Sequence, residues 1–183
     1  MVRTQPTKVL VPVIVVLVLA LAACANSAAA QEHFEKGNEL AQALQFEQAI
    51  VEFEAALDED PKFVSARINL GVAHYQLGRL DEAIVQYQKA IELEPEDADI
   101  HSNLAAAYVQ MSQLDEALQE YLIAVELNPE LAEAHFGLGV VYSQNGKIDE
   151  AIQAIERFQD LDTGADPTAT GLAKQYLQQL KGP

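Results

Sequence analysis

The chain has 183 residues, of which 50% are hydrophobic, and it carries 11 Lys and Arg against 28 Asp and Glu, a formal charge of -17. That length suits one domain or one short array of repeats. The charge argues against binding to a nucleic-acid backbone, because such binders present a basic face. A single cysteine excludes an intrachain disulfide and a cysteine-cluster metal site. The low counts of glycine and proline, 9 and 7, favour helix over sheet.

Residues 1–23 have the pattern of a secretory signal peptide. Two basic residues, Arg3 and Lys8, precede an apolar run over 9–23 that is shorter than the roughly 20 residues of a membrane span. The run ends on Leu21-Ala22-Ala23-Cys24, which resembles the lipobox of bacterial lipoproteins. The resemblance implies that Cys24 is lipidated and becomes the mature N-terminus, with residues 24–29 as a short tether.

Two alternatives for this segment stay open. The apolar run could be retained as an uncleaved membrane helix, because its length is marginal, or it could be cleaved without lipidation. In every case we expect the folded part outside the cytoplasm. With the lipid, the protein would be anchored to a membrane of the bacterial cell envelope, and the sequence leaves open whether this is the inner or the outer membrane.

From residue 30 onward the sequence repeats itself with a period of 34 residues. Small residues recur at Gly37, Gly71, Ala105 and Gly139, and again at Ala49, Ala83, Ala117 and Ala151. Large apolar residues recur at Phe53, Tyr87, Tyr121 and Ile155, and prolines at Pro61, Pro95 and Pro129. A period of this length is typical of an array of helical hairpins.

The second unit shows how the pattern predicts a helical pair. Gly78 is expected to end the first helix, because glycine tolerates a positive φ. Asp81 lies in the first turn of the next helix, where the helix dipole favours acids. Ala83 and Ala90 leave room for two helix backbones to approach closely, and Pro95 follows the end of the second helix.

These repeated positions resemble the tetratricopeptide repeat (TPR). The match covers residues 30–165 in four units, 30–63, 64–97, 98–131 and 132–165. The resemblance implies an all-α fold, a right-handed α-solenoid of antiparallel helix pairs with a concave groove. Residues 166–183 continue the phase through Leu172, Ala173 and Tyr176, so we predict a fifth first helix that caps the end of the solenoid.

No pattern of residues supports catalysis, because a glycine-rich phosphate loop, a His-Glu-x-x-His run and a nucleophile elbow are all missing from the sequence. We therefore predict neither an enzyme nor a cofactor. His33, His101 and His135 recur in phase, with Arg67 in the fourth place. In the TPR family this place holds an aromatic residue that packs between helices. Stacked repeats also separate the copies too widely to share one metal ion, so we predict no metal site.

Acids are concentrated at the starts of the predicted second helices, where we expect them to act as caps and to interact with the helix dipole: Glu47, Asp81, Glu82, Asp115, Glu116, Asp149 and Glu150. Four more acids, Glu92, Glu94, Glu96 and Asp97, crowd the end of one second helix, where the dipole disfavours them. The acidic excess serves solubility, or it selects a basic partner.

By resemblance to the family, the groove carries the binding residues. They are Gln42, Gln76, Gln110 and Gln144 in one row, Asn69 and Asn103 in a second row, and the apolar side chains Tyr75, Val109, Phe136 and Val140. Amides donate and accept together, so a row of them could hold the backbone of an extended peptide. The other interpretation is that glutamine is simply a good helix former on a wet face.

Some TPR proteins clamp a C-terminal carboxylate with basic residues, and the matching places here hold Ile68, Ser102 and Phe136. This substitution argues against acidic peptide tails as ligands. We therefore predict a membrane-anchored, non-enzymatic adaptor for envelope assembly, which docks a peptide or a partner helix, with a basic partner as one option. The alternative is a structural scaffold that builds a homo-oligomer by self-association.

Overall fold

The computed structural model describes residues 27–164 and 167–182, and these residues form nine α-helices and no strand. The helices are α1 (27–42), α2 (Phe46–Glu59), α3 (Val64–Gln76), α4 (Leu80–Leu93), α5 (Ala98–Gln110), α6 (Leu114–Leu127), α7 (Ala132–Gln144), α8 (Ile148–Leu161) and α9 (Pro167–Lys181). Odd-numbered helices are the first helices of the pairs, and even-numbered helices are the second. The prediction of an all-α array of helix pairs is confirmed. The predicted signal peptide and Cys24 lie outside the described residues.

The fold divides into two compact units, one up to Ala66 and one from Arg67 onward. In the first unit, α2 buries Ala49, Phe53 and Ala56. The ring of Phe34 in α1 lies 6.1 Å from that of Phe53 and 4.8 Å from that of Phe63, measured between centroids. This aromatic cluster is the centre of the first unit.

In the second unit, each helix from α4 to α8 packs against its successor in the chain, up to α9. The first helices α5 and α7 also contact each other directly. Ala105, Ala117, Ala124 and Leu138 are buried in the shared core of this unit. The alanines at three of these places allow the helices to pack closely.

Aromatic rings fill the space beside the small residues. The position that the ring contacts differs between the second and third repeats. A Cβ atom on Gly71 would lie 2.6 Å from Cε1 of Tyr87, so the ring occupies the place of a side chain. In the third repeat Ala105 takes the place of Gly71, and a Cβ atom on Gly137 of the fourth repeat would overlap the ring of Tyr121. Tyr121 therefore contacts the following repeat.

The turn from the first to the second helix of each pair has a residue with positive φ. Gly78 and Gly146 have φ values of 71° and 73°, which glycine adopts without strain. Gly78 ends its helix as predicted. The equivalent places hold Leu44 and Ser112, both at φ 59°, where a Cβ atom makes the conformation costly.

The acids at the starts of the second helices do not act as caps, so this part of the prediction is wrong. The N-cap residues of α2, α4, α6 and α8 are Gln45, Arg79, Gln113 and Lys147, and none of them makes a side-chain capping hydrogen bond. The acids lie within the first turn, where the helix dipole favours them. Asp97 is itself a cap, because it precedes α5 and accepts hydrogen bonds from the N–H groups of Asp99 and Ile100.

The predicted fifth first helix is present as α9. Ala173 and Leu177 of α9 are buried against Ile155 and Phe158 of α8. At the end of α9, the Lys181 ammonium lies 2.7 Å from the Glu156 carboxylate. The helix thus covers the apolar side of α8 that would otherwise face water.

Candidate peptide-binding surface

The four glutamines of the predicted groove all lie at helix ends. Gln76, Gln110 and Gln144 are the last residues of α3, α5 and α7, and all three are exposed. Gln42 is the last helical residue of α1 in the first unit, and it is exposed too. Within the second unit, the amide row therefore runs along the edge where the first helices end, with its polar groups open to a ligand.

The two predicted asparagines lie in the middle of their helices. Asn69 and Asn103 are half-buried, at the same register of α3 and α5. The equivalent place in α7 is Gly137, where the ring of Tyr121 occupies the space of a side chain. The asparagine row stops there because a longer side chain would collide with that ring.

The four apolar groove residues are all half-buried, and two of them also pack against neighbouring helices. Val109 packs against the core of the second unit. The ring of Phe136 lies 5.3 Å from that of Phe158 and, edge-on, 6.1 Å from that of Tyr176. Phe136 therefore helps to join α7, α8 and α9, while Tyr75 and Val140 lie partly open on α3 and α7.

The first turns of α5 and α7 carry carboxylates that the sequence analysis did not single out. Asp99 and Glu133 are exposed and occupy the same register of the two contacting helices. Partial burial, Asp97 and Glu133 together raise the pKa of Asp99, because each disfavours its charged form. The 34-residue spacing of these two acids was the signal that could have revealed this acidic edge.

A cavity of about 410 Å³ adjoins the acidic edge, between the start of α7, the end of α8 and the start of α9. Its walls combine Phe158 and Leu161 with the carboxylates of Glu130, Glu133 and Asp162. The side chain of Thr170 and the N–H of Gly164 donate to Asp162, and these hydrogen bonds lower its pKa. A lining that combines apolar side chains with carboxylates suits a long basic side chain, which has an aliphatic stem and a charged end.

Comparison with known proteins identifies the repeats. Models of the TPR match residues 73–112 and 107–146, and models of the tetratricopeptide repeat match residues 40–87 and 132–163. The chain belongs to the tetratricopeptide repeat family. No curated protein sequence matches it.

Solved TPR structures resemble the chain over most of its length. A crystal structure of MamA is 25% identical, with a TM-score of 0.68 over 84% of this chain and 86% of that one. PilF of Pseudomonas aeruginosa is 24% identical, with a TM-score of 0.71 over 87% and 79%. The first TPR of Spaghetti (RPAP3), bound to the HSP90 peptide SRMEEVD, is 25% identical, with a TM-score of 0.58 over 65% and 94%.

In this TPR protein the phased histidines form hydrogen bonds rather than the expected aromatic packing. Nδ1 of His33 lies 2.7 Å from Glu52, and Nδ1 of His101 lies 2.7 Å from Glu120. Arg67 donates to Gln86 over 3.4 Å at the equivalent place. The partners Glu52, Gln86 and Glu120 also recur with the 34-residue period. The network therefore joins a first helix to a second helix in each of three repeats. Among residues 27–164 and 167–182, no three His, Cys, Asp or Glu side chains converge on a possible metal site.

His101 is the most constrained member of this network. Its ring is buried, and its Nε2 lies 3.1 Å from the carbonyl oxygen of Pro95. With Glu120 at Nδ1 and this carbonyl at Nε2, both ring nitrogens have a polar partner. His101 thus fastens α5 to α6 and to the loop before α5.

The first TPR repeat differs from the others at Lys36, where the next three repeats have leucine. The Lys36 ammonium lies 2.5 Å from the Glu52 carboxylate. Hydrogen bonds from Lys36 and His33 lower the pKa of Glu52. An ion pair with an exposed lysine and a half-buried glutamate suits the first repeat of the array, which differs from the inner ones.

No helix that the structure describes, from residue 27 to 164 or from 167 to 182, is long and apolar enough to cross a membrane.

Proposed function

We propose that this TPR protein is a membrane-anchored, non-enzymatic adaptor of the bacterial cell envelope. It docks a peptide or a partner helix on the surface of its first helices and acts in envelope assembly. TPR proteins are in general non-catalytic adaptors, and we extend that role to this chain. The lipid on Cys24 would hold the binding surface near a membrane.

One observation carries the binding proposal. Helices α5 and α7 lie side by side, with carboxylates in their first turns and amides at their last residues. A peptide that runs along the two helices meets Asp99 and Glu133 at their starts and Gln110 and Gln144 at their ends. The amides can hold a peptide backbone, and the carboxylates select basic side chains.

The ligand of a similar protein has a charge opposite to that of the ligand we expect here. The first TPR of RPAP3 binds a peptide that ends in acidic residues, Glu-Glu-Val-Asp. In the present chain an acidic edge stands beside the first helices, so such a peptide would be repelled. We therefore propose that the partner is a basic segment, with one Lys or Arg side chain in the cavity beside Glu133.

The test is capture of envelope proteins on the immobilised full chain, compared with Asn69→Ala/Asn103→Ala and with a control that also removes two amides. Gln119→Ala/Gln153→Ala is that control, because both glutamines are exposed on second helices. A partner held by the wild type and the control, but lost from the asparagine variant, supports a binding surface on the first helices. A partner held equally by all three proteins contradicts it.

Sedimentation of the same protein tests the scaffold alternative. A monomer at every concentration removes that alternative. A concentration-dependent oligomer that survives in high salt favours it over the adaptor.

A further inference from the structure

The outer face of α6 exposes large apolar side chains. Leu122, Ile123 and Leu127 are 43%, 37% and 38% exposed. They occupy the second half of one helix, within a stretch of six residues. Leu122 and Ile123 are adjacent, and Leu127 lies one turn after Ile123, with the exposed Glu126 beside them. Single exposed apolar residues are ordinary, but a group of three within two turns, next to acids, is a candidate interaction surface.

The neighbouring repeats show that the fold does not require the apolar pair Leu122 and Ile123, whereas Leu127 recurs as Leu93 in α4 and Leu161 in α8. The places of Leu122 and Ile123 are taken by Gln88 and Lys89 in α4, and by Glu156 and Arg157 in α8. Helices α4 and α8 have the same length and start at the same register as α6. The apolar pair is therefore a property of the third repeat alone among these three second helices.

The charge of α6 also differs from that of α4 and α8, the second helices of the neighbouring repeats. Its sequence contains four acids, Asp115, Glu116, Glu120 and Glu126, and neither Lys nor Arg. Helices α4 and α8 each contain one basic residue, Lys89 and Arg157. The acids Asp115 and Glu116 lie about two turns, roughly 10 Å, before the apolar pair.

We propose that this surface of α6, formed by Asp115, Glu116, Leu122, Ile123 and Leu127, docks an amphipathic basic helix of a second protein. The partner helix places apolar side chains at helical spacing against the leucines and the isoleucine, with Lys or Arg about two turns away against the carboxylates. A second copy of the chain does not fit this surface, because it would bring the same acids together at a net charge of -17 per chain.

This docking surface is distinct from the peptide-binding surface proposed above. It lies on a second helix, whereas the amide row and the acidic edge lie on first helices. One molecule could therefore join two partners at once, which is the property that an adaptor needs.

The test measures binding of a labelled synthetic helix to the full chain by fluorescence anisotropy. The probe has Leu at positions i, i+3, i+4 and i+7 and Lys elsewhere, and its scrambled sequence has the same composition. Leu122→Gln/Ile123→Gln removes the apolar pair without a change of charge. Val85→Gln is the matched control, since Val85 is 43% exposed on α4 and the next two repeats have glutamine there.

We expect the double variant to bind the probe at least ten-fold more weakly than the wild type, and Val85→Gln to bind within two-fold of it. Three results would overturn the proposal: equal affinity of the double variant, equal affinity for the scrambled probe, or self-association of the wild type that the double variant abolishes. The last result would assign the surface to a second copy.

Discussion

At the scale of the residue, the turns between paired helices reveal which repeats carry strain. Four equivalent places require a positive φ, and only two of them hold glycine. Leu44 is in addition 75% exposed, so no burial of its side chain offsets the backbone cost. The sequence period locates the turn, but the sign of φ at Leu44 and Ser112 comes from the structure.

Ser112→Gly should stabilise the protein by about 1 kcal/mol. Relief of the positive φ outweighs the extra freedom that glycine gives to the unfolded chain. The midpoint of urea unfolding measures the change. Gly78→Ala is the reciprocal test, and it should destabilise by a similar amount; a neutral result for both would show that the turn relaxes.

Gly137→Ala should destabilise the protein by about 1–3 kcal/mol, because the new methyl group meets the ring of Tyr121 and forces the core to shift. Thermal unfolding provides the measurement. Gly171→Ala is the control, since Gly171 lies within α9 with no atom near its Cβ position. This control should stabilise by about 0.5–1 kcal/mol, and equal effects of the two changes would contradict the packing described for Tyr121.

At the scale of the element, hydrogen bonds decide how the helices are joined. The network of His101, Glu120 and Pro95 joins the start of α5 to α6 and to the loop before α5, and Asp162 fixes the start of α9. The sequence places the histidines in phase. It does not show that His33 and His101 each contact a glutamate 19 residues later in the chain. The reason is that this contact joins two helices, and it depends on how they pack.

The attachment of α9 should weaken at acid pH. The pKa of Asp162 is lowered in the folded state, so its carboxylate stabilises the fold above its unfolded pKa of about 4, and this contribution is lost as the pH falls through the folded value. Hydrogen exchange of the α9 amides at several pH values measures the effect. In Asp162→Asn that acid-side dependence should be reduced most, because the Glu156 carboxylate still pairs with α9, and in Thr170→Val it should be reduced less. An unchanged profile in both variants would refute the role of Asp162.

At the scale of the whole molecule, the expected lipid anchor and the strong acidic charge have opposite effects on attachment to a membrane. A protein with a net charge of -17 is repelled by anionic lipid, so charge alone would not hold it at a membrane. Hydrocarbon chains on Cys24 would supply that attachment. The anchor and the binding surfaces are then separate parts of the chain with separate tests.

Cys24→Ala should abolish lipidation. The protein should then appear in the soluble fraction, or as a precursor that retains residues 1–23. The measurement is fractionation of cells with an antibody, together with the mass of the wild-type N-terminus. A wild-type mass without acyl groups, combined with an intact segment 1–23, would instead favour the retained membrane helix. Soluble wild-type protein cleaved before residue 30 would favour plain secretion.

The sequence by itself determined the helix pairs, because a 34-residue period of small, large and proline residues fits helical hairpins and little else. It also located the glutamine row, since helix register follows from spacing. Only the tertiary structure decided that Gly137 receives the ring of Tyr121 and that Asp97 caps α5. Each of these facts depends on the packing of one helix against another or on the exact end of a helix, and neither is encoded in the local pattern of residues. The α6 surface required both, because the sequence names its side chains and the fold leaves them exposed.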